Sequence, residues 1–188
     1  MSDVNTPDFK FIFEGVPECY LILMPDAPRF TIAAVSDAYA RATNTVRHEI
    51  VGKGLFEVFP DNPNDKNATG VKNLTASLNR VLAHKLIDFM AIQKYDIPRP
   101  QSTDFEERYW SPDNSPVLDE AGNVVYIVHH VCDVTAEEKL LRVYGGVRSG
   151  DTPQHRASFT DTIEKIMVER EVRMSELKIE LAAFKNKA

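Results

Sequence analysis

Between about residues 9 and 135 the chain alternates short apolar runs with turn-forming clusters, whereas residues 158–188 carry one apolar stripe at helical spacing. Residues 19–24 form an apolar run ended by Pro25, Asp26, Ala27 and Pro28, and residues 30–35 form a second. Two such runs joined by a turn of four or five residues predict a β-hairpin. Ser36 and Asp37 then stand where a short helix through Ala38, Tyr39, Ala40 and Ala42 needs a cap. Short turns are expected over 47–51 and 54–59, and a loop over 60–66. From 68 to 85 the positions Val71, Leu74, Leu78, Val81 and Leu82 keep one face apolar, which is helical spacing. Strands are expected at 89–95, 106–111 and 124–134. Pro98 and Pro100 follow the first, and a turn through Asp119, Gly122 and Asn123 separates the other two.

Two strands, several helices and three strands, in that order, predict an α+β fold: a five-stranded antiparallel sheet with helices on one face, followed by a long C-terminal helix. In the last strand Val125, Ile127, His129 and Val131 share one face; Val124, Tyr126, Val128, His130, Cys132 and Val134 share the other. Both sets are largely apolar, so both faces are expected to be covered, one by the helices and one by a flanking helix or a second subunit. Gly145, Gly146, Ser149, Gly150 and Pro153 mark a joint. The chain therefore divides into a domain at 1–135, a connector helix and hinge at 136–157, and an amphipathic helix at 158–188. With Ile163 at heptad position a, Arg170, Leu177 and Phe184 follow, and Met167, Met174, Leu181 and Ala188 fall at d. That seam fits a coiled-coil homodimer, the alternative being a helix folded back on its own domain.

A net charge of −6 over 188 residues argues against nucleic acid as a partner. No apolar run reaches the roughly 18 residues of a membrane span, and the polar residues 1–8 lack the basic-then-apolar order of a secretory signal. Two cysteines cannot build a disulfide framework. A soluble, cytoplasmic protein is the expectation.

Phe9 through Pro17, the hairpin leading to Ala34-Val35-Ser36-Asp37-Ala38-Tyr39, the Gly52 to Pro60 segment, and the turn at Asp119 that leads to Asp133-Val134-Thr135 together resemble a PAS sensory domain over about 9–135. Tyr95-Asp96-Ile97-Pro98-Arg99-Pro100 and Glu107-Arg108-Tyr109-Trp110-Ser111-Pro112 are similar to a subtype at the front of bacterial sensor histidine kinases. PAS domains share a shape and host many chemistries, so the resemblance implies a fold and a sensory role without naming a ligand.

Four residues are candidates for a ligand pocket: Tyr95, Arg108, Trp110 and His129. Strand alternation puts Arg108 and Trp110 on one face, and the resemblance turns that face and the His129 face towards the helices. Apolar walls with a few polar groups suit a small organic molecule or an anion. The structural alternatives are that Trp110 fills the core, that Arg108 pairs with Glu106 or Glu107, and that His129 is a hydrogen-bonded core histidine. Heme-binding relatives place an iron ligand near His84, but His84 beside Lys85 reads as a solvated helix end. Flavin photosensors of the resembled family need a reactive cysteine before the long helix, where this chain has Asn62-Pro63-Asn64-Asp65-Lys66-Asn67. The cofactor is left unknown, with heme and flavin disfavoured. His48, His84, His129, His130 and His155 show no metal-ligand spacing, and no nucleophile–base pair stands out, so neither a metal nor catalysis is expected.

The expected function is a sensory and dimerisation module of a bacterial two-component protein. A small molecule or a neighbouring signal acts on the sheet, and Asp133-Val134-Thr135 passes the change to a downstream kinase or output domain. The alternatives are a ligand-free interaction scaffold and a heme or flavin redox sensor.

Overall fold

The computed structural model describes residues 7–99, 102 and 104–145; the expected helix at 158–188 and its heptad seam lie outside them. Two compact units are present, Met1–Thr135 and Ala136–Ala188. Helix α1 (Phe9–Glu14) is capped by the Asp8 carboxylate, which accepts from the Lys10 and Phe11 amides, and it leaves Phe9, Phe11 and Ile12 exposed. Strands β1 (Cys19–Leu23) and β2 (Ile32–Val35) form the expected hairpin. Ser36 caps α2 (Asp37–Ala42) through the Tyr39 amide and also holds the Glu18 carbonyl. Single turns follow at α3 (Arg47–Ile50) and α4 (Leu55–Val58), then the long helix α5 (Gly70–His84). The carboxylate of Asp61, in the preceding loop, accepts from the otherwise unpaired Val71 amide, and Lys85 ends α5 in the left-handed region at φ 56°.

Short strands β3 (Asp88–Phe89), β4 (Gln93–Lys94), β5 (Ile97–Pro98) and β6 (Phe105–Glu106) lead to two long ones, β7 (Tyr109–Leu118) and β8 (Val124–Asp133), and to helix α6 (Thr135–Gly145). The antiparallel sheet runs β2-β1-β8-β7-β3, with β4 also on β7, while β5 and β6 pair separately. The strand expected at 89–95 is thus present as two pieces along one edge. Phe89 lies opposite Asp113 but Gln93 opposite Trp110, so the edge carries one extra residue between them.

The strand expected at 106–111 begins later and extends to Leu118, straight through Pro112 and Pro116. The Met90 amide donates to the Pro112 carbonyl, which shows that residue 112 directs its backbone groups towards the edge rather than towards β8. The missing proline N–H groups therefore cost the β7–β8 ladder nothing. That ladder pairs Trp110 with Asp133, Asn114 with His129 and Asp113 with His130. Near the turn, Leu118 pairs with Val124 while Val117 pairs with Tyr126, so a bulge at Val125 reverses the alternation. Val124 accordingly packs against the core, not on the face expected for it, and Val134, past the strand end, is also buried.

The core lies between the sheet's inner face and the helices. Leu21, Leu23, Ile32, Val35, Ile127 and Val131 meet Leu78 and Val81 from α5, with Phe30, Tyr39, Leu55 and Phe59 closing the side. On the outer face Val128, His130 and Cys132 are half-buried and Tyr126 is exposed. Among the described residues no helix is long and apolar enough to cross a membrane.

Candidate functional site

The inner face of β7 and β8 and the facing helices line a partly open cavity of about 60 Å³. Trp110, Pro112, His129 and Val131 supply the sheet wall; Tyr39, Leu55, Phe56, Phe59, Gly70 and Leu74 supply the helical wall; Met90, Gln93, Tyr95 and Ile97 close the edge. Of the four residues expected to meet there, Tyr95, Trp110 and His129 do.

Two of these three spend their polar atoms on the protein. Trp110 Nε1 donates to the Tyr95 carbonyl at 3.0 Å, and the Tyr95 hydroxyl donates to the Pro60 carbonyl at 2.8 Å. Burial pushes the Tyr95 phenol above its ordinary range, so it stays a donor. The ring is locked further by Gly70, where a β-carbon would fall 2.2 Å from Tyr95 Cδ2. Only glycine lets α5 begin this close to the ring.

His129 is a buried, hydrogen-bonded histidine that also lines the cavity. Its Nδ1 lies 2.7 Å from Asn114 Oδ1, directly across the β7–β8 ladder, and its ring meets Tyr39 edge-on with centroids 6.1 Å apart. Burial pushes its pKa down to about 4, with neighbouring His130 acting in the same direction and Asp113 against. The ring is therefore neutral at physiological pH. His130 points to the opposite face, where its Nδ1 meets Asp113 Oδ2 at 2.8 Å.

Arg108 is not a wall residue. It lies between β6 and β7, outside the regular alternation that would have put it on the Trp110 face, and two carboxylates draw its guanidinium away. Nε lies 3.1 Å from Glu106 Oε1, and Nη1 is paired with Asp133. Burial alone would raise the Asp133 pKa, but hydrogen bonds from Thr135 and the Arg108 charge bring it below the usual range. Arg108 thus belongs to a clasp at the end of β8. There the Val134 amide donates to the Tyr109 carbonyl at 2.9 Å, the Tyr109 amide to Thr135 Oγ1 at 2.9 Å, and the Thr135 amide to Asp133 Oδ1 at 2.9 Å.

Two buried polar residues that support the wall, Asn114 and Ser77, carry no motif in the sequence. Asn114 lies between two prolines, where a strand reading stops; carrying the alternation through them places it opposite His129.

The cavity does not fit a flavin or a heme. A site for a molecule of that size holds at least about 300 Å³, several times the space present between these walls. His84 is the exposed last residue of α5 and does not reach the wall, and neither Cys19 nor Cys132 lines it. Burial pushes the Cys19 thiol up to about 11, so it is an unreactive thiol. Among the described residues no group of three His, Cys, Asp or Glu converges as a metal site.

No curated protein sequence matches this chain. Among solved structures, an RNA-binding Light-Oxygen-Voltage receptor superposes with a TM-score of 0.54 at 14% identity, covering 78% of this chain and 41% of that one. The chain thus spans less than half the length of that receptor. The PAS domain of a Colwellia psychrerythraea protein gives 0.51 at 10% identity, covering 67% and 93%. A sensory box sensor histidine kinase from Vibrio cholerae gives 0.45 at 17% identity, covering 68% and 89%. At such identities the likenesses concern the fold alone. The family model described as PAS fold matches residues 13–139. Matched over more than half its length, and with the sheet order and helices described above, this chain belongs to the PAS-fold family.

Proposed function

We propose that this chain is the input module of a signal-transduction protein, in which a small molecule in the cavity changes the β7–β8 end and the change leaves through Asp133-Val134-Thr135. One observation carries this reading. Trp110 lines the cavity, and the two residues before it, Arg108 and Tyr109, grip the end of β8. A ligand that shifts the backbone at Trp110 also shifts the clasp, because Tyr109, whose amide is held by Thr135, is joined to it by a single planar peptide unit. For that to transmit anything, the ligand must bind the two arrangements of the clasp with different affinity.

The output partner proposed is a downstream kinase or other output domain of a bacterial two-component system, in the cytoplasm, with residues 158–188 forming the homodimer seam. Substituting Leu177 and Leu181 by Asp places charges in that seam, and sedimentation of the full chain is expected to show monomer; a persistent dimer contradicts the seam. A second reading, a ligand-free interaction scaffold, is favoured by the small cavity and by the internal pairing of Trp110 and Tyr95. Native mass spectrometry of the protein as purified separates the two. A stoichiometric adduct supports the sensor, and a bare polypeptide that also accepts no small molecule supports the scaffold.

A further inference from the structure

Building on the reading of the cavity as a ligand site, we propose that it selects small uncharged molecules carrying a hydrogen-bond donor, because the distant pair Arg80–Asp88 fixes His129 as an acceptor through Ser77 and Asn114.

The chain of bonds has only one consistent direction. Arg80 Nε and Nη2 meet Asp88 Oδ1 and Oδ2 at 2.7 and 2.8 Å, and a guanidinium only donates. Beside that charge the Asp88 carboxyl lies below its ordinary pKa range and only accepts. The Ser77 hydroxyl has one proton, and a carboxylate takes it in preference to a neutral amide oxygen. Ser77 Oγ is left as the acceptor for Asn114 Nδ2 at 2.7 Å, and the same Nδ2 lies 3.5 Å from Met90 Sδ, a second acceptor. The amide oxygen consequently faces His129 Nδ1 at 2.7 Å. An amide oxygen cannot donate, so Nδ1 carries the ring proton and Nε2 carries the lone pair. Nε2 is the ring atom left for whatever occupies the cavity that His129 lines.

A hydroxyl or N–H group satisfies that lone pair; a molecule with acceptors alone sets lone pair against lone pair in a buried site. The surrounding wall of Leu55, Phe56, Phe59, Leu74 and Val131 penalises a full charge. Asp88 and Ser77 are positioning residues, since they touch the ligand only through Asn114 and His129.

The test is ¹⁵N NMR of the histidine ring in the full chain. Wild type is expected to show a protonated Nδ1 and a bare Nε2. In Asp88→Asn, Arg80 holds the new amide oxygen, the amide nitrogen donates to Ser77, Ser77 donates to Asn114, the Asn114 amide turns over, and the proton moves to Nε2. If that variant does not fold, Ser77→Ala cuts the same chain and is expected to give a mixture of tautomers. Ethanol, as a donor-bearing probe, is expected to shift the wild-type Nε2 resonance, and acetonitrile, with no donor, to leave it in place. A bare Nδ1 in wild type, or an unchanged tautomer in the variants, overturns the relay. Equal shifts with both probes overturn the ligand class. Failure of both probes to move any wall resonance, Trp110 Nε1 included, removes the ligand-site reading and the class with it, whatever the tautomer.

Discussion

His129 and Gly70 each do something their residue type does only in this setting. A histidine with an ordinary pKa of 6.5 is held neutral down to about 4 by burial. In the unfolded chain it takes up a proton as the pH falls through 6.5; in the fold it does not until about 4. The unfolded state therefore binds more protons across that window. Stability is full above the upper value and falls towards the lower, by about 3 kcal/mol in all. Denaturant unfolding of wild type and His129→Gln from pH 7 to pH 4 is expected to give curves that converge as the pH falls; parallel curves contradict the assignment. Gly70→Ala drives a methyl into the Tyr95 ring, which its bond to Pro60 keeps from swinging aside. A loss of about 1–3 kcal/mol, read from the denaturation midpoint, is expected for such overpacking. His129 is legible from alternation along the regular stretch of β8 together with the family resemblance, which turns that face towards the helices. Arg108 was not, because alternation was carried across a break in the strand, and two carboxylates decided its direction. Gly70 carried no local mark, since its role depends on a ring 25 positions away in the sequence.

Among the elements, β7 departs furthest from what its residues suggest and contributes most to the site. Pro112 and Pro116 mark loops in a sequence reading, yet both fit a strand whose even-numbered residues face an irregular edge. The same irregularity splits the expected strand at 89–95 into β3 and β4. Such effects come from the register between strands, which local propensity does not encode. By contrast the hairpin, the capped α2 and the apolar stripe of α5 were legible, because each depends on neighbours within a few positions. The clasp makes the element-scale prediction. Thr135→Val keeps the shape but removes the acceptor of the buried Tyr109 amide. A cost of about 1 kcal/mol is expected for losing that buried hydrogen bond. Hydrogen exchange at the Tyr109 amide should accelerate more than at Ile127 on the neighbouring strand; uniform acceleration would mean general destabilisation without a local clasp.

At the scale of the whole molecule, an antiparallel sheet backed by helices places a small apolar space next to the exit of its last long strand. The order of strands and helices made that arrangement legible, whereas the cavity's size depends on how Tyr95, Trp110 and Phe59 pack, which no spacing reveals. The space is too small for a large cofactor and large enough for a few atoms. Its wall and the clasp at Asp133 share the start of β7, which is the physical basis for reading occupancy as a signal. Xenon tests this most directly, since it enters apolar cavities without needing a hydrogen bond. Amide spectra of the full chain under increasing xenon pressure are expected to shift together at Trp110 and Val131 in the wall and at Val134 and Thr135 in the clasp. Shifts confined to the wall, with Val134 and Thr135 unmoved at saturation, would contradict the coupling on which the sensory reading stands.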